Sequence, residues 1–423
     1  MTLSRINVAI IGGGPAGLSA AIAASEEGSS VLLVERETRL GGILKQCIHD
    51  GFGILRYGES LTGPEYASRD ISTLNQTNTV VMLQTFVSKV ERVGNAFQLT
   101  LCNRHGMVLV EADTVVLATG CRERSARQVP IHGMRPAGVL TAGSAQYYVN
   151  ILGQLPVKNC LILGSEDIGM IVARRLTLEG AKVLGVYEAQ AAPGGSLRNV
   201  TQCLNDYNIP LHLSHTVTRT FGTNRLRAVE VCRVNKEMQP IRGSENIVKC
   251  DGLILSAGLI PENELAESLN VPLSETTHGP VCDQNNMTMV DGVYSCGNAL
   301  YVSDLADHVS ESGRIAGQSA ARYMGNKRSL IDISVSKDFL SIVPNYIDFN
   351  LQRGETALFF RTSKVRENVT VSVEVDNTEV FSEHYISLRP PEMERISIDF
   401  SPVLTSESRI RVKMEQRQMT NDK

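Results

Sequence analysis

A glycine-rich turn between two short apolar runs constrains this chain more than any other feature. Residues 8–11 are apolar, residues 12–17 follow the pattern Gly-x-Gly-x-x-Gly, and residues 31–34 form a second apolar run that ends at Glu35. This order predicts a strand, a tight turn, a helix and a second strand, with Glu35 placed to accept hydrogen bonds from a ribose. A signal peptide is the competing interpretation, but glycines interrupt the apolar segment and few basic residues precede it.

Each residue of the turn has its own physical role. Gly12 permits the tight turn, Gly14 lets the backbone approach a pyrophosphate, and Gly17 lets the helix pack closely against the strand. Pro15 and Ala16 begin the predicted helix, whose free N–H groups and positive dipole end attract phosphate. The turn therefore predicts a dinucleotide site.

The same pattern occurs a second time in the middle of the chain. An apolar run at residues 159–163 leads to Gly164, and Ile168 and Gly169 follow at the start of a predicted helix. Glu188 lies nineteen residues beyond Gly169, close to the eighteen residues that separate the last glycine and the acid in the first copy. Two such units imply two nucleotides, or one nucleotide and a relic.

Later segments indicate how the two units are joined. Residues 113–120 and 253–258 are apolar runs that end in small residues, and each is expected to be the buried strand that closes its unit. Residues 291–299 precede a helix predicted over residues 304–324 and would return to the first sheet, so the second unit is expected to lie within the first. Apolar and polar residues alternate near the end of the chain, as at residues 370–375, which predicts a small β-rich tail.

The first unit carries further predicted elements. Residues 39–53 are rich in glycine, which favours a loop that lies close to a flat ligand. A helix is predicted over residues 64–74. Residues 80–87 and 96–110 are predicted to be alternating strands of an antiparallel meander.

Composition narrows the class of protein. The 423 residues suffice for two or three domains, and 20% charged with 42% hydrophobic residues is typical of a globular protein. A net charge of −4 gives no reason to expect nucleic acid or an anionic membrane as partner, and no apolar run approaches the roughly 20 residues of a membrane span. The nine cysteines contain no Cys-x-x-Cys pair, which is typical of reduced cytosolic thiols.

These motifs resemble a known family. The first glycine turn, the strand that ends at Gly120, the second unit and residues 292–298 resemble the two-dinucleotide-domain flavoproteins of the glutathione reductase and thioredoxin reductase type. Residues 41–53, 61–66, 173–180 and 304–309 are similar to a narrower branch of FAD-dependent NAD(P)H oxidoreductases, which commonly accompany a bacterial glycerol-3-phosphate dehydrogenase and a small cysteine-rich protein. The chain more distantly resembles flavin subunits of proline, opine and sarcosine dehydrogenases.

The resemblance implies an α/β fold with two Rossmann-like dinucleotide-binding domains, the second inserted in the first, plus a small C-terminal β-rich domain. It assigns residues 1–122 and 266–328 to an FAD-binding domain, residues 123–265 to an NAD(P)-binding domain and residues 329–423 to the β-rich domain. The implied cofactors are FAD and NAD(H). Their expected contacts are Gly12, Gly14, Pro15, Ala16, Gly17, Glu35, Arg36, Gly42, Ile43, Val87, Thr119, Gly120, Gly164, Ile168, Gly169, Glu188, Gly258 and Asn298.

The candidate catalytic residues are Cys47 and His49. Disulfide reductases of this family carry a redox-active pair of cysteines, but Cys47 stands alone, so dithiol exchange is not expected. Cys47 is a candidate charge-transfer or peroxidatic thiol and His49 a candidate proton donor, and a packed loop residue is the alternative for each. His308 lies close in sequence to Asp304 and Asp307, but these side chains are expected on a solvated helix face, and no metal site is predicted.

Two further departures concern the nucleotide sites. Asn298 stands where the family usually has an aspartate on the ribityl chain of the flavin, and its amide can still hydrogen-bond a hydroxyl. Glu166 stands where the second glycine of the second turn is expected. A carboxylate about 4 Å from a phosphate costs roughly 1–4 kcal/mol, which corresponds to a fivefold to thousandfold loss of affinity. Glu188 favours NADH over NADPH, because it would repel a 2′-phosphate.

The chain is therefore predicted to be a cytoplasmic FAD-dependent oxidoreductase that exchanges electrons between NADH and a partner protein or small acceptor. The resemblance implies a flavin-dependent glycerol-3-phosphate dehydrogenase as partner and a place in glycerol-3-phosphate metabolism. A homo-oligomer and a different dehydrogenase subunit stay open as partners. Two other functions also stay open. One is a flavin subunit of an amino-acid or imino-acid dehydrogenase with a partly vestigial NAD site, and the other is a binding module that senses nucleotide redox state without turnover.

Overall fold

A computed structural model describes residues 5–351 and 354–416 of the chain. The chain divides into two compact units. Unit 1 holds the residues up to 45, residues 49–121 and the residues from 261 onward, and unit 2 holds residues 46–48 and 122–260. In chain order unit 2 is therefore inserted in unit 1, as the sequence predicts.

The helices are given in chain order, and α6 is only about one turn long. They are α1 (Pro15–Glu26), α2 (Ile54–Tyr57), α3 (Gly63–Leu74), α4 (Ala142–Asn150), α5 (Asp167–Leu178), α6 (Leu197–Asn199), α7 (Glu264–Ser268) and α8 (Ala306–Ala321). Within the described residues, none of these helices combines the length and the apolar character that crossing a membrane requires.

The strands are more numerous than the helices. The first half of the chain holds β1 (Ile6–Ile11), β2 (Val31–Val34), β3 (Val80–Met82), β4 (Phe86–Val93), β5 (Ala96–Asn103), β6 (Gly106–Leu117), β7 (Cys121–Glu123), β8 (His132–Gly133), β9 (Val139–Thr141), β10 (Asn159–Leu163), β11 (Lys182–Glu188), β12 (Leu211–Leu213) and β13 (His215–Phe221). The second half holds β14 (Ala228–Arg233), β15 (Asn246–Lys249), β16 (Gly252–Leu255), β17 (Leu259–Pro261), β18 (Val293–Ser295), β19 (Leu330–Val335), β20 (Phe339–Val343), β21 (Tyr346–Asp348), β22 (Glu355–Thr362), β23 (Arg366–Val375), β24 (Thr378–Leu388), β25 (Glu394–Asp399) and β26 (Ile410–Gln416).

A parallel sheet with β1 at its centre organises unit 1. Strand β1 pairs with β2 and β6, β3 extends the sheet beyond β2, and β18 pairs with the far side of β6, all in parallel. Strand β1 is a continuous apolar run because helices cover both faces of such a sheet. The first part of β6 also pairs antiparallel with β5, which in turn pairs with β4. One long strand therefore joins the parallel sheet to the meander.

Close contact between α1 and α8 fixes the helix that follows the first glycine turn. A Cβ on Gly313 would overlap the carbonyl oxygen of Ala16, and a Cβ on Gly317 would overlap that of Ala20. Alanines on α1 and glycines on α8 let the two backbones approach to a distance that larger side chains would prevent. This packing holds the N-terminus of α1 firmly beside the turn.

Unit 2 repeats the parallel sheet on a smaller scale. Its strands run in the order β12-β11-β10-β16-β9, and each neighbouring pair is parallel. Helix α5 packs on this sheet through buried residues that include Met170 and Leu176. A second sheet of unit 2 has the order β15-β14-β13-β8.

The C-terminal part of unit 1 is β-rich, as predicted. One sheet has the order β21-β19-β26-β23-β24 and another has the order β20-β22-β25. Buried residues from both sheets, among them Phe360, Val373 and Ile396, share one apolar cluster. The alternation seen at residues 370–375 reflects β23, which turns every second side chain toward that cluster.

The structure corrects three element predictions. Residues 80–87 are not one strand of the meander. Strand β3 lies parallel to β2, and Gln84, with φ of +49°, interrupts the extended conformation before β4 begins. Residues 96–110 form two strands, β5 and the start of β6. The helix predicted over residues 304–324 is α8, which begins at Ala306 and ends at Ala321. It begins later than predicted because Asp304 instead accepts hydrogen bonds from Arg361 and from the amide of Met393.

Candidate functional site

The first glycine turn has the geometry of a phosphate cradle. Gly12 has φ of +109° and a Cβ there would overlap the carbonyl oxygen of Ala118, while a Cβ on Gly17 would overlap the carbonyl oxygen of Gly12. Gly14 is different, because its φ of −77° suits any residue and a Cβ would have Gly42 Cα at 3.8 Å as its nearest neighbour. The first and third glycines are thus required for packing, and the second leaves open space where a ligand would approach.

The acid that follows β2 lies against this turn. Glu35 is buried, its Oε2 accepts a hydrogen bond of 2.7 Å from the Gly13 amide and its Oε1 accepts one of 2.7 Å from the Glu37 amide. Each carboxylate oxygen has a second lone pair, so both can still accept a hydrogen bond from a ribose hydroxyl. The carboxylate therefore orders the turn and offers acceptors to a ligand.

Glu262 connects several predicted contacts and was missed by sequence reasoning. Its carboxylate lies 3.2 Å from Arg36 Nη1, its carbonyl oxygen accepts a 2.6 Å hydrogen bond from Thr119 Oγ1, and its amide donates to the carbonyl oxygen of Gly120. Glu262 follows β17, at the point where the chain returns to unit 1. No local motif marks it, because its partners are distant in sequence.

The predicted flavin loop lies directly over the turn. Gly42 has φ of +53°, a Cβ there would lie 2.9 Å from Gly14 Cα, and the Gly41 amide donates to the carbonyl oxygen of Gly13. Ile43 is 57% exposed. The side chain of Val87 is buried in the core of unit 1, so only its backbone could contact a cofactor.

Asn298 uses both ends of its amide within unit 1. Its Oδ1 accepts from the Ser303 amide at 3.1 Å, and its Nδ2 donates to Cys121 Sγ at 3.5 Å. The Oδ1 atom has a further lone pair for a hydroxyl group. Asn298 lies just after β18, at the carboxyl end of the parallel sheet, where ligands bind in open α/β folds.

The start of α8 is buried, which corrects the expected solvated face. Asp307 is 9% exposed and its Oδ2 accepts a 3.0 Å hydrogen bond from the Leu55 amide. His308 is 6% exposed, stacks edge-on against Phe359 at 5.3 Å between ring centroids, and has its pKa lowered by burial. Among the residues that the structure describes, no group of His, Cys, Asp and Glu side chains is arranged to hold a metal ion.

The two candidate catalytic residues differ in environment. Cys47 is buried in unit 2, its Sγ lies 3.9 Å from Gln146 Oε1, and burial raises the pKa of the thiol to about 12. His49 belongs to unit 1, is half-buried, and packs against Phe52 with ring centroids 5.0 Å apart. At neutral pH Cys47 is thus a thiol rather than a thiolate.

The second glycine turn keeps the packing positions of the first. Gly164 has φ of +98° and a Cβ there would overlap the carbonyl oxygen of Ser256, and a Cβ on Gly169 would lie 2.7 Å from Ser256 Cβ. Ile168 packs against the core of unit 2 from the first turn of α5. The frame of a dinucleotide site is therefore intact in unit 2.

Glu166 stands at the middle position of the second turn, where the first turn has Gly14. It immediately precedes α5, and its carboxylate accepts a hydrogen bond from the Gly258 amide. A Cβ built on Gly258 would lie 3.7 Å from Arg124 Nε and 3.8 Å from Glu166 Oε1, so both side chains reach the same side of that glycine. Burial and the nearby Glu188 carboxylate raise the pKa of Glu166 to about 7, although the Gly258 hydrogen bond and Arg124 favour the ionised form.

Glu188 orders the second turn as Glu35 orders the first. Its Oε2 accepts from the Ser165 amide at 2.9 Å and from Ser165 Oγ at 2.7 Å, and its Oε1 accepts from the Gln190 amide at 2.8 Å. The Gly194 amide donates to Ser165 Oγ, which draws a second glycine-rich loop over the turn. Sequence could have revealed this loop, because Gly41 and Gly194 each lie six residues beyond their acid.

The two units therefore fit their expected cofactors to different degrees. In unit 1 the open space at Gly14, the N-terminus of α1 and the Glu35 carboxylate fit the pyrophosphate and ribose of FAD. In unit 2 the packing glycines and Glu188 fit a dinucleotide, but Glu166 places a carboxylate beside the turn at the position where unit 1 has a glycine. This disagreement is confined to one side chain.

Comparisons with known proteins agree with this geometry. An opine oxidase subunit of Agrobacterium tumefaciens (strain Ach5) is 25% identical over 76% of this chain, which spans 68% of that protein. Hydrogen cyanide synthase subunit HcnB of Pseudomonas aeruginosa is 29% identical over 62% of this chain, and the chain spans only 59% of that protein. Ferredoxin–NADP reductase of Leuconostoc citreum (strain KM20) is 24% identical over 72% of this chain and 86% of its own length.

Solved structures show the same fold. Thioredoxin reductase of T. acidophilum superposes with a TM-score of 0.63 at 21% identity, and the match covers 76% of this chain and 99% of that protein. The model of the pyridine nucleotide-disulphide oxidoreductase family matches residues 6–325. That match spans both glycine turns and the return to the first sheet. The chain therefore belongs to the pyridine nucleotide-disulphide oxidoreductase family, whose members are FAD-dependent oxidoreductases that use NAD(P)H.

Proposed function

We propose that this chain binds FAD in unit 1 and exchanges electrons between NADH, bound in unit 2, and an acceptor outside the chain. The observation that carries the proposal is the pair of turns, each with its packing glycines and its acid in place. Bound FAD would supply the hydride-transfer chemistry. The chain supplies an anion site at the N-terminus of α1 and acceptors for the ribose at Glu35.

The proposed reaction does not use a dithiol. No second cysteine lies near Cys47 in the sequence to form a redox pair. Since burial raises the pKa of Cys47 to about 12, the thiol is a poor nucleophile at neutral pH. Electrons are therefore expected to leave the cofactor directly for the acceptor.

Glu188 supports NADH rather than NADPH as the nucleotide of unit 2. Its Oε2 is held against the second glycine turn by the Ser165 amide, and its Oε1 accepts from the Gln190 amide just beyond β11. A carboxylate held there accepts hydrogen bonds from a free ribose and repels a 2′-phosphate.

A flavin subunit of an amino-acid or imino-acid dehydrogenase is the second candidate function. Glu166 favours it, because a carboxylate at the phosphate position weakens nucleotide binding in unit 2. The names of two relatives, the opine oxidase and hydrogen cyanide synthase proteins, also describe subunits of larger enzymes. In this case electrons would reach the cofactor from a partner protein instead of NADH.

As the partner protein, we propose a flavin-dependent glycerol-3-phosphate dehydrogenase, which would exchange electrons with the flavin of this chain. This part rests on the resemblance of residues 41–53 and 304–309 to the branch that accompanies such enzymes. Mixing the two purified proteins should change the rate of NADH oxidation or of glycerol-3-phosphate oxidation. Unchanged rates over a range of mixing ratios would count against this partner.

An anaerobic titration with NADH tests the main proposal. The purified protein with FAD bound is mixed with increasing NADH, and the flavin absorbance is followed. Bleaching with about one equivalent of NADH supports the NADH oxidoreductase, because two electrons reduce one flavin. A flavin that stays oxidised with NADH but is bleached by dithionite supports the subunit of a larger dehydrogenase.

A further inference from the structure

The side chain of Glu166 lies beside the second glycine turn, in the space where the proposed nucleotide of unit 2 would bind. In unit 1 the backbone at Gly14 faces open space, but in unit 2 the carboxylate of Glu166 reaches from the start of α5 to the Gly258 amide and toward Arg124. A hydrogen-bond donor and a guanidinium are the groups that a pyrophosphate would use at this place. The carboxylate therefore stands where the anionic part of a dinucleotide would bind.

We propose that Glu166 couples nucleotide binding in unit 2 to a proton, so that the dinucleotide binds the form of the protein in which this carboxyl group is protonated. This inference rests on the proposed function, which assigns a nicotinamide dinucleotide to unit 2. An ionised Glu166 repels the pyrophosphate and competes with it for Arg124. A protonated Glu166 releases Arg124 and can donate its own O–H to a phosphate oxygen. Above neutral pH, binding therefore takes up about one proton.

The charged groups around Glu166 make this coupling effective near neutral pH. Glu188, at the end of β11, and Asp167, in the first turn of α5, both oppose its ionisation, and burial opposes it more strongly than either. Arg124, which follows β7, favours ionisation. The balance raises the pKa of Glu166 to about 7, so both forms are populated at physiological pH.

Asp167 is a useful contrast because its carboxylate is turned away from the turn. Its Oδ1 accepts hydrogen bonds from the Ser196 amide at 2.9 Å and from Asn199 Nδ2 at 2.7 Å. It therefore acts on Glu166 only through its charge. Removing that charge should leave the proton coupling in place and move it to lower pH.

Isothermal titration of the FAD-bound protein with NAD⁺ at pH 6, 7 and 8 tests the inference. NAD⁺ avoids electron transfer to the oxidised flavin, and its pyrophosphate diester has no proton to lose in this range. The wild-type affinity should be about tenfold weaker at pH 8 than at pH 6, as a single group with a pKa of about 7 requires. The heat of binding at pH 8, measured in two buffers of different ionisation enthalpy, should report uptake of about one proton.

Three variants separate the possible causes. Glu166→Gln should bind NAD⁺ with the same affinity at all three pH values, and Asp167→Asn should keep the pH dependence. A pH dependence that is unchanged in Glu166→Gln would overturn the inference and point to another titrating group of unit 2, such as His212. If neither the wild type at pH 6 nor Glu166→Gly binds NAD⁺, the nicotinamide site of the proposed function is itself wrong.

Discussion

The turn after β1 in unit 1 and the turn after β10 in unit 2 can be compared residue by residue. Gly12 and Gly164 both have positive φ, and a Cβ on either would overlap a carbonyl oxygen of the neighbouring strand end. Neither Gly17 nor Gly169 could carry a side chain. A Cβ on Gly17 would overlap the carbonyl oxygen of Gly12, and a Cβ on Gly169 would lie 2.7 Å from Ser256 Cβ. The two turns are thus equivalent wherever a glycine packs against the protein.

The middle position is where the two turns differ. Gly14 in unit 1 faces open space, and Glu166 in unit 2 holds an extended backbone with φ of −63° that any residue can adopt. Folding therefore requires the first and third glycines, whereas the second position can hold a Cβ without a clash inside the protein. A change at the second position alters affinity for a nucleotide while the fold persists. The fold of a dinucleotide unit and its affinity for a nucleotide therefore depend on different positions of the turn, and variants can test them separately.

The packing glycines should show the largest effect, and the same effect in both units. Gly12→Ala and Gly164→Ala each combine a strained positive φ with a backbone clash, so we expect a loss of about 4 kcal/mol in the free energy of unfolding. Denaturation in urea measures it. Gly28→Ala and Gly180→Ala are matched controls, because these glycines have positive φ but no atom within 4 Å of a Cβ. Each control should lose only about 1–2 kcal/mol. A Gly164→Ala variant that is as stable as the wild type would show that the fold of unit 2 does not depend on the close packing of its glycine turn.

Transferring the unit 2 residue into unit 1 should break the first site without breaking the fold. In Gly14→Glu a carboxylate would approach the pyrophosphate of FAD, and the affinity should fall by about fivefold to thousandfold. The ratio of flavin absorbance to protein after dialysis measures retention, and circular dichroism monitors the fold. Gly14→Ala, whose Cβ would meet Gly42 Cα at an ordinary 3.8 Å, should keep its FAD. Full retention of FAD in Gly14→Glu would mean that this position does not face the phosphates.

The burial of Glu166 should also affect stability, with a defined pH dependence. Its pKa is about 7 in the folded chain and near 4.5 when unfolded, so the folded state binds more protons between these values. The free energy of unfolding should therefore fall as pH rises from 4.5 to 7, by at most about 3 kcal/mol from this group. Glu166→Gln has no such loss. The free energy of unfolding of Glu166→Gln minus that of the wild type should therefore be larger at pH 8 than at pH 5. Thermal unfolding of both proteins at the two pH values measures the difference, and an equal gap at both would contradict the burial of the carboxylate.

The sequence predicted the parts of the molecule that depend on local pattern. Glycine spacing and short apolar runs were enough for both turns, for their acids and for the insertion of one unit in the other. Pairing partners were harder, because the run at Val80–Met82 fits a meander or an edge strand of the parallel sheet equally well. The burial of Asp307 and His308 depends on residues that are distant in sequence, such as Leu55 and Phe359.

In the candidate site, too, features that depend on local sequence pattern were predictable, and features that depend on contacts distant in sequence were not. The positions of the glycines and acids beside the two turns were predictable because they depend on a fixed spacing in the sequence, whereas their contacts with a nucleotide stay predictions. Arg124 and Glu262 carried no such signal, since Arg124 reaches Glu166 and Glu262 reaches Thr119 only after the sheets have formed. Sequence showed that Glu166 breaks the pattern, but the direction of its carboxylate depends on Gly258, which comes from another strand end.

The acids of the two units should show the smallest effect. Glu35 accepts from two backbone amides through separate oxygens, and Glu188 accepts from two backbone amides and a hydroxyl. A glutamine can present only one oxygen, so its NH₂ group would face an N–H donor and leave it unpaired. Glu35→Gln and Glu188→Gln should each lower the free energy of unfolding by about 1–3 kcal/mol in the absence of nucleotide.

The relation between these two losses sharpens the comparison further. Both acids order their turns in the same way. If the second turn needs its acid for folding as the first does, Glu188→Gln should lower the free energy of unfolding by as much as Glu35→Gln. Glu37→Gln is a suitable control, since Glu37 takes part in this arrangement through its amide and not through its side chain. Urea denaturation of the three variants without added nucleotide measures the losses. A loss in Glu35→Gln alone would mean that the second turn no longer depends on its acid, and that unit 2 has diverged in its frame as well as at Glu166.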